Sequence, residues 1–140
     1  MALSVTDREA FLAQPHIAAL AVSGGHDRAP VTVPVWYSYA PGEELWFHTG
    51  RDSVKGRRLA ETGRCTLLVQ SVTPSVRYVS VEGTVSITEA TEADIEQMAR
   101  RYLPPETVEG YVAMAAAEHG PQVRVTVSPE RWRTADIGTF

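Results

Sequence analysis

The chain has 140 residues, is 44% apolar and carries a formal net charge of −4 at pH 7. That length suits one compact domain, 1–140, with a core of useful size, and the acidic balance speaks against a general nucleic-acid binder, which presents a basic face. No window approaches the ~20 apolar residues of a membrane helix, and Met1 to Glu9 lacks the charged start and apolar run of a signal peptide, so a cytoplasmic protein with no membrane partner is expected.

The lone cysteine, Cys65, cannot close an internal disulfide and falls in an apolar run, which predicts a buried thiol. The four histidines, His16, His26, His48 and His119, are scattered, with no Cys or carboxylate at ligand spacing, so no metal site is expected.

In chain order, Thr6-Asp-Arg-Glu9 has capping-box spacing and opens a short helix that Pro15 ends. His16 to Ser23 reads as a strand, Gly24-Gly25-His26-Asp27 as a turn, and Ala29 to Tyr39 as a second strand. That second strand alternates, with Val31, Val33, Val35, Tyr37 and Tyr39 on one face. Pro34 interrupts it; proline cannot donate to a ladder, so it marks an edge, a bulge, or a backbone left free for a ligand. A third strand runs from Glu44 to Thr49. Trp36 and Trp46 are read as packing residues. A helix follows from Val54 to about Glu61, with Ser53 as N-cap and Gly63 closing it. Arg64 to Val72 and Val76 to Thr88 are the fourth and fifth strands, with Gly83 as a bulge or a close approach. Thr91-Glu-Ala-Asp94 caps a helix reaching Pro104, a second runs from about Glu106 to Glu118, and Gln122 to Ser128 is the sixth strand. The tail from Pro129 reads as irregular. Six strands, mostly joined by hairpins, with few peripheral helices, imply a mainly β, antiparallel barrel or sandwich.

The chemistry concentrates in Leu45 to Leu59. Arg51, Lys55, Arg57 and Arg58 crowd eight positions of an acidic protein. Helices prefer carboxylates in their first turn, so basic residues there oppose the dipole unless an anion compensates. A phosphate at this helix start would meet free N–H groups, the Ser53 hydroxyl and the Lys55 ammonium together. The alternative is a solvated basic helix face.

Val33-Pro-Val-Trp-Tyr37, Leu45-Trp-Phe-His-Thr49, Ser53-Val-Lys55-Gly-Arg57-Arg-Leu and Arg77-Tyr-Val-Ser-Val-Glu-Gly83, in this order, resemble the pyridoxamine-phosphate-oxidase-like family of FMN-binding split β-barrels over residues 8 to 136. The resemblance implies a six-stranded antiparallel split β-barrel that forms a homodimer, with a flavin or deazaflavin at the interface. It also implies that Thr49, Ser53 and Lys55 hold the cofactor phosphate and that the tricyclic ring lies along Val33, Pro34 and Val35. Val31 to Trp36 has no basic residue, Val54 precedes Lys55, and Arg131-Trp-Arg133 has no histidine, which sets the chain apart from enzymes acting on the vitamin itself. Tyr-Val-Ser-Val-Glu-Gly, Arg101-Tyr-Leu-Pro-Pro-Glu and Trp132…Ala135-Asp136 look more like reductases that use coenzyme F-420, whose longer anionic tail would suit Arg51, Arg57 and Arg58.

The expectation is therefore an oxidoreductase passing a hydride from F-420 to a small electron-poor organic substrate. FMN-dependent oxidase or flavin reductase activity is the alternative, and a non-catalytic flavin, deazaflavin or tetrapyrrole carrier a third reading. No side chain is assigned as catalytic; Tyr37, Tyr78 and His48 are the candidate proton donors.

Overall fold

The computed structural model describes all 140 residues. The elements in order are α1 (Val5–Ala13), β1 (Ala18–Val22), β2 (Val31–Val35), β3 (Leu45–Gly50), α2 (Val54–Thr62), β4 (Arg64–Ser71), β5 (Val76–Glu89), α3 (Glu92–Tyr102), α4 (Pro105–Glu118) and β6 (Gln122–Gly138). All six strands belong to one antiparallel sheet in the order β2-β1-β4-β5-β6-β3. The sheet curls until its two edge strands meet at a single bridge, Ser38 with Trp46. A barrel closed at one residue pair and open beyond it is a split barrel, as expected.

Alternation puts Leu20, Val22, Leu67, Val69, Val79, Val81, Val125 and Val127 inside, and Phe11, Leu12 and Leu59 from α1 and α2 join the same cluster. A second buried set, Trp46, Met98, Ala99, Val108 and Ala115, lies outside that cluster. It belongs to the outward face of β3 and to the α3–α4 pair. Arg124 ties that pair to the sheet: its guanidinium lies 4.1 Å from the Trp46 ring and bonds Asp94 at 2.9 Å.

Several local readings hold. Ser53 and Gly63 bound α2, with Gly63 at φ 66. Thr91 and Asp94 form a reciprocal capping box. The β5–β6 register slips between Glu82 and Gly83, where a Cβ on Gly83 would lie 2.0 Å from the Ser128 carbonyl oxygen. Cys65 is buried, and burial pushes its thiol up to about 12.

Other readings are corrected. Ser4, not Thr6, caps α1, accepting from the Asp7 N–H. The second strand leaves its ladder after Val35, and Ser38 belongs to the bridge instead. Only β1–β2 and β4–β5 are joined directly as hairpins, the first through the long loop 23–30 and the second through the short loop 72–75. The tail is not irregular: β6 continues through it to Gly138, pairing with β5 throughout. No helix is long and apolar enough to cross a membrane.

One arginine joins three parts of the fold. The last carbonyls of an α-helix have no intrahelical donors. Here Arg101 of α3 supplies them, donating to Leu12 (3.0 Å), Ala13 (3.1 Å) and Gln14 (2.9 Å) and also to Tyr39 (3.2 Å). The fully buried Tyr37 hydroxyl lies within 2.9 Å of Leu12 O and 3.1 Å of Gln14 O. Replacing Arg101 by Met keeps the length of the side chain and removes a charged donor from four carbonyls, of which Leu12 O keeps the Tyr37 hydroxyl and Gln14 O the His16 N–H, so a loss of about 2–4 kcal/mol is expected. Urea unfolding should show a lower midpoint at unchanged slope; an unchanged midpoint would remove Arg101 from this role.

Candidate functional site

The two lips of the split are the edge strands β2 and β3. Ser38 and Trp46 form the one bridge between these edges, and beyond it no ladder joins them. Val33–Val35 lies on one open edge, and on the other Thr49 leads into the basic loop.

On the β3 lip, the loop into α2 is tightly built. The Ser53 hydroxyl donates to Gly50 O at 2.7 Å and accepts from the Gly56 N–H at 3.1 Å. Arg51 N–H donates to Pro121 O at 3.0 Å. Gly56 is required here, because a Cβ would lie 2.1 Å from Gly50 O and 2.9 Å from Arg51 O. With Gly56 and Arg57 N–H taken by Ser53, the N–H groups of Val54 and Lys55 are left without a protein acceptor. They point out of the positive end of the α2 dipole.

Thr49, near the end of β3 just before this loop, is 4% exposed and its Oγ1 has no hydrogen-bond partner. A buried hydroxyl left unmatched costs free energy unless something pairs with it. Lys55 is half-buried and makes no ion pair with the chain. Two free N–H groups, one orphaned hydroxyl and one unpaired ammonium, all within seven residues of chain, are donors of the kind a phosphate takes.

The remaining sequence candidates divide. Ser53 stands in this seat, but its proton already goes to Gly50, so it orders the loop. Arg58 is committed inside the fold: Nε donates to Ser23 O at 2.8 Å and its guanidinium pairs with Glu61. Arg51 is exposed and pairs with Asp52 at 3.3 Å. Arg57 is exposed and has no partner in the chain.

On the β2 lip, Pro34 lies on an edge strand with a ladder on one side only, so its missing N–H removes no bond from a second one. Val33 and Pro34 border an open groove of about 550 Å³ with Ile17, Ala19, Thr32, Leu68 and Gln70. Its size falls within the range of small-molecule sites, and its walls are apolar with two polar ends. No group of three or more His, Cys, Asp or Glu side chains is placed to hold a metal.

Among the candidate proton donors, Tyr37 is excluded: it is 0% exposed, and burial, helped by the nearby Tyr102, pushes its pKa above the ordinary range. His48 lies on the outward face of β3. The Gln122 amide donates from Nε2 to His119 O, which turns its Oε1 toward His48 Nδ1 at 3.0 Å. The neutral ring then carries its proton on Nδ1 and keeps Nε2 as an acceptor.

The family model described as pyridoxamine 5'-phosphate oxidase matches residues 6–136. The chain belongs to this family. A solved structure of a conserved hypothetical protein from Mycobacterium tuberculosis is similar at 25% identity and TM-score 0.74, covering 96% of this chain and 85% of its own. A structure named as an F-420 reductase is similar at 24% identity and TM-score 0.70, covering 89% of this chain and 94% of its own. A third, an FAD-binding protein from Mesorhizobium loti, is similar at 16% identity and TM-score 0.60, covering 96% and 93%. No curated protein sequence matches the chain. At these identities the structures share the family fold.

What sequence reasoning missed at the site is Gly56, whose missing Cβ admits the Gly50 and Arg51 carbonyls. The spacing Gly50…Ser53…Gly56, a glycine on each side of an N-cap, was the available signal.

Burial holds the His48 imidazole below its usual 6.5, with His119 adding to the effect and Gln122 and Asp94 opposing it. Burial, with Arg77 and Arg101 adding their charge, lowers His16 as well. Such groups take up protons in the unfolded chain first, so stability is full above pH 6.5 and declines as pH falls toward the lowered folded values. Urea midpoints should therefore drop between pH 7 and about pH 5, and His48→Gln should shrink the drop while leaving the His16 share. An equal drop in the variant would place the His48 ring in water.

Proposed function

We propose that this protein is an oxidoreductase that binds coenzyme F-420 in the split and transfers a hydride between it and a small electron-poor organic substrate. The observation that carries the reading is that the barrel stays open between two edge strands, one with a bare apolar edge (Val33, Pro34 and Val35) and one that runs through Thr49 into a helix start with unpaired donors (Lys55 and the N–H groups of Val54 and Lys55). A phosphate-bearing tricyclic cofactor has these two needs at its two ends: cationic and N–H donors for the tail, and a flat shelf with free backbone polar groups for the ring. The likeness to the structure named as an F-420 reductase supports the deazaflavin choice.

Hydride chemistry would come from the bound deazaflavin. The chain's own task is to anchor, orient and shield. Lys55 and Thr49 fix the phosphate, the Ser53–Gly56 clasp keeps the loop in shape, and Arg57 with the exposed Arg51 is placed to meet further negative charge on the tail. The same reading pairs two copies through the outward face of β1 and β4, where Ala19 and Ala21 are small and Ile17 is exposed, so that a partner roofs the groove.

A second reading, FMN as the cofactor, is favoured by Arg58. With that guanidinium tied to Ser23 and Glu61, less free positive charge remains for a long anionic tail. A flavin monophosphate needs only the seat itself.

Fluorescence titration with F-420 and FMN side by side separates these readings. F-420 should bind the more tightly, and Lys55→Ala should weaken binding by about 1.5–3 kcal/mol, roughly ten- to a hundredfold. Unchanged affinity in Lys55→Ala would remove the phosphate from this seat, and tight FMN binding without F-420 affinity would select the second reading. F-420 binding without faster oxidation of its reduced form by any of a broad panel of acceptors would make the protein a carrier.

A further inference from the structure

The β1–β2 ladder stops at Ala18 and Val35. Continued in register, it would set Ile17 across from Trp36 and then His16 across from Tyr37. These two do not bond each other. The hydroxyl of Tyr102, the last residue of α3, stands between them: the Tyr37 N–H donates to it at 3.1 Å, and it lies 2.6 Å from His16 O and 3.0 Å from Tyr37 O. Its one proton belongs to the shorter contact, His16 O. The Tyr102 ring stacks on the Trp36 indole at 4.8 Å and 12°, and Tyr111 lies 5.7 Å from the same indole. Arg101, one residue earlier, holds the C-terminal carbonyls of α1 and so fixes where the α3 end sits.

An oxygen that accepts from one strand and donates to the other satisfies both backbones, as a ladder bond would, over a longer span. It therefore spreads the two strands at the point where β2 leaves the sheet. From there the chain carries Ser38 to its bridge with Trp46, and the edge at Val33–Val35 stays unpaired. We propose that Tyr102 is a positioning residue for the cofactor ring: its hydroxyl, wedged between His16 and Tyr37, sets the splay of β2 and hence the width of the split beside Val33–Val35. This rests on the cofactor reading given above.

Without the hydroxyl, His16 O and Tyr37 N–H are free to bond directly, and the ladder lengthens toward the split. Tyr102→Phe keeps the ring and its stack on Trp36. The expected result is a folded protein with a wild-type far-UV spectrum, about tenfold weaker binding of F-420 or FMN, and a shifted absorption band of the bound chromophore, which loss of stability alone would not move. If Tyr102→Phe does not fold, a fluorinated tyrosine at position 102 replaces it. Its fluorines make the hydroxyl oxygen a poorer acceptor for the Tyr37 N–H and a stronger donor to His16 O, so the wedge spacing changes and the band of the bound chromophore should shift. Wild-type affinity and an unshifted band in Tyr102→Phe, or an unshifted band in the fluorinated protein, overturn the wedge. Failure of the unmodified protein to bind either chromophore overturns the cofactor reading, and this inference with it.

Discussion

A sheet of six strands whose two edges touch at one residue pair is the constraint on which the rest of this molecule depends. Closing a small sheet satisfies its edges. Here closure reaches only Ser38 and Trp46, and beyond them two lengths of backbone remain without a partner strand. Unpaired edges invite association, and this chain places beside one of them a proline and beside the other a loop rich in positive charge. The cleft is a consequence of topology: β3 sits next to β6 and β2 next to β1, so the chain must cross the barrel between them. α2 then carries it from β3 to the far neighbour β4, and the helix start falls at the rim of the opening.

The anchoring proposed for Lys55 and Thr49 rests on that placement. In an acidic protein, most cations are matched within the fold: Arg64 with Glu130, Arg100 with Glu96, Arg124 with Asp94, Arg131 and Arg133 with Glu82. Lys55 is not, and it stands where the α2 dipole and two free N–H groups add to its field. Thr49 supplies the buried hydroxyl that has nothing in the chain to bond. The apolar lip opposite has no comparable charge. A cleft with one charged and one apolar lip orients an amphiphilic ligand before any specific contact is counted.

Much of this was legible in the sequence because it is written in local chemistry. Ser53 and Gly63 announce a helix by capping, Thr91 and Asp94 another, and Pro34 on an alternating run announces an edge. The family resemblance then pointed to Val33–Val35 and to Thr49–Lys55, which the fold places on one edge strand and at the end of the other. What was not legible is tertiary. Arg58 belongs by position to the basic cluster, but Ser23 and Glu61 lie where only the fold could bring Ser23. Ser53 was correctly a cap, and for that reason its proton is unavailable to a ligand. The end of β6 looked irregular because Pro129 and the charged Arg131 and Arg133 obscure the alternation; its inward side is carried by Trp132 and Thr134 instead of by a run of valines. Arg101 entered only as part of a resembling segment, and nothing in the sequence pointed to its bonds with α1, since an arginine near a helix C-terminus is ordinary and its role depends on the end of α1 lying alongside.

The two lips thus come from different sequence segments, and the account stands or falls on their acting on one ligand. Backbone amide shift mapping by ¹H–¹⁵N correlation spectroscopy during an F-420 titration tests this directly. Binding in the split should move Val54 and Lys55 together with Thr32, Val33 and Val35, along one binding curve. Shifts confined to one lip, or centred on the α3–α4 pair with both lips unmoved, would contradict it.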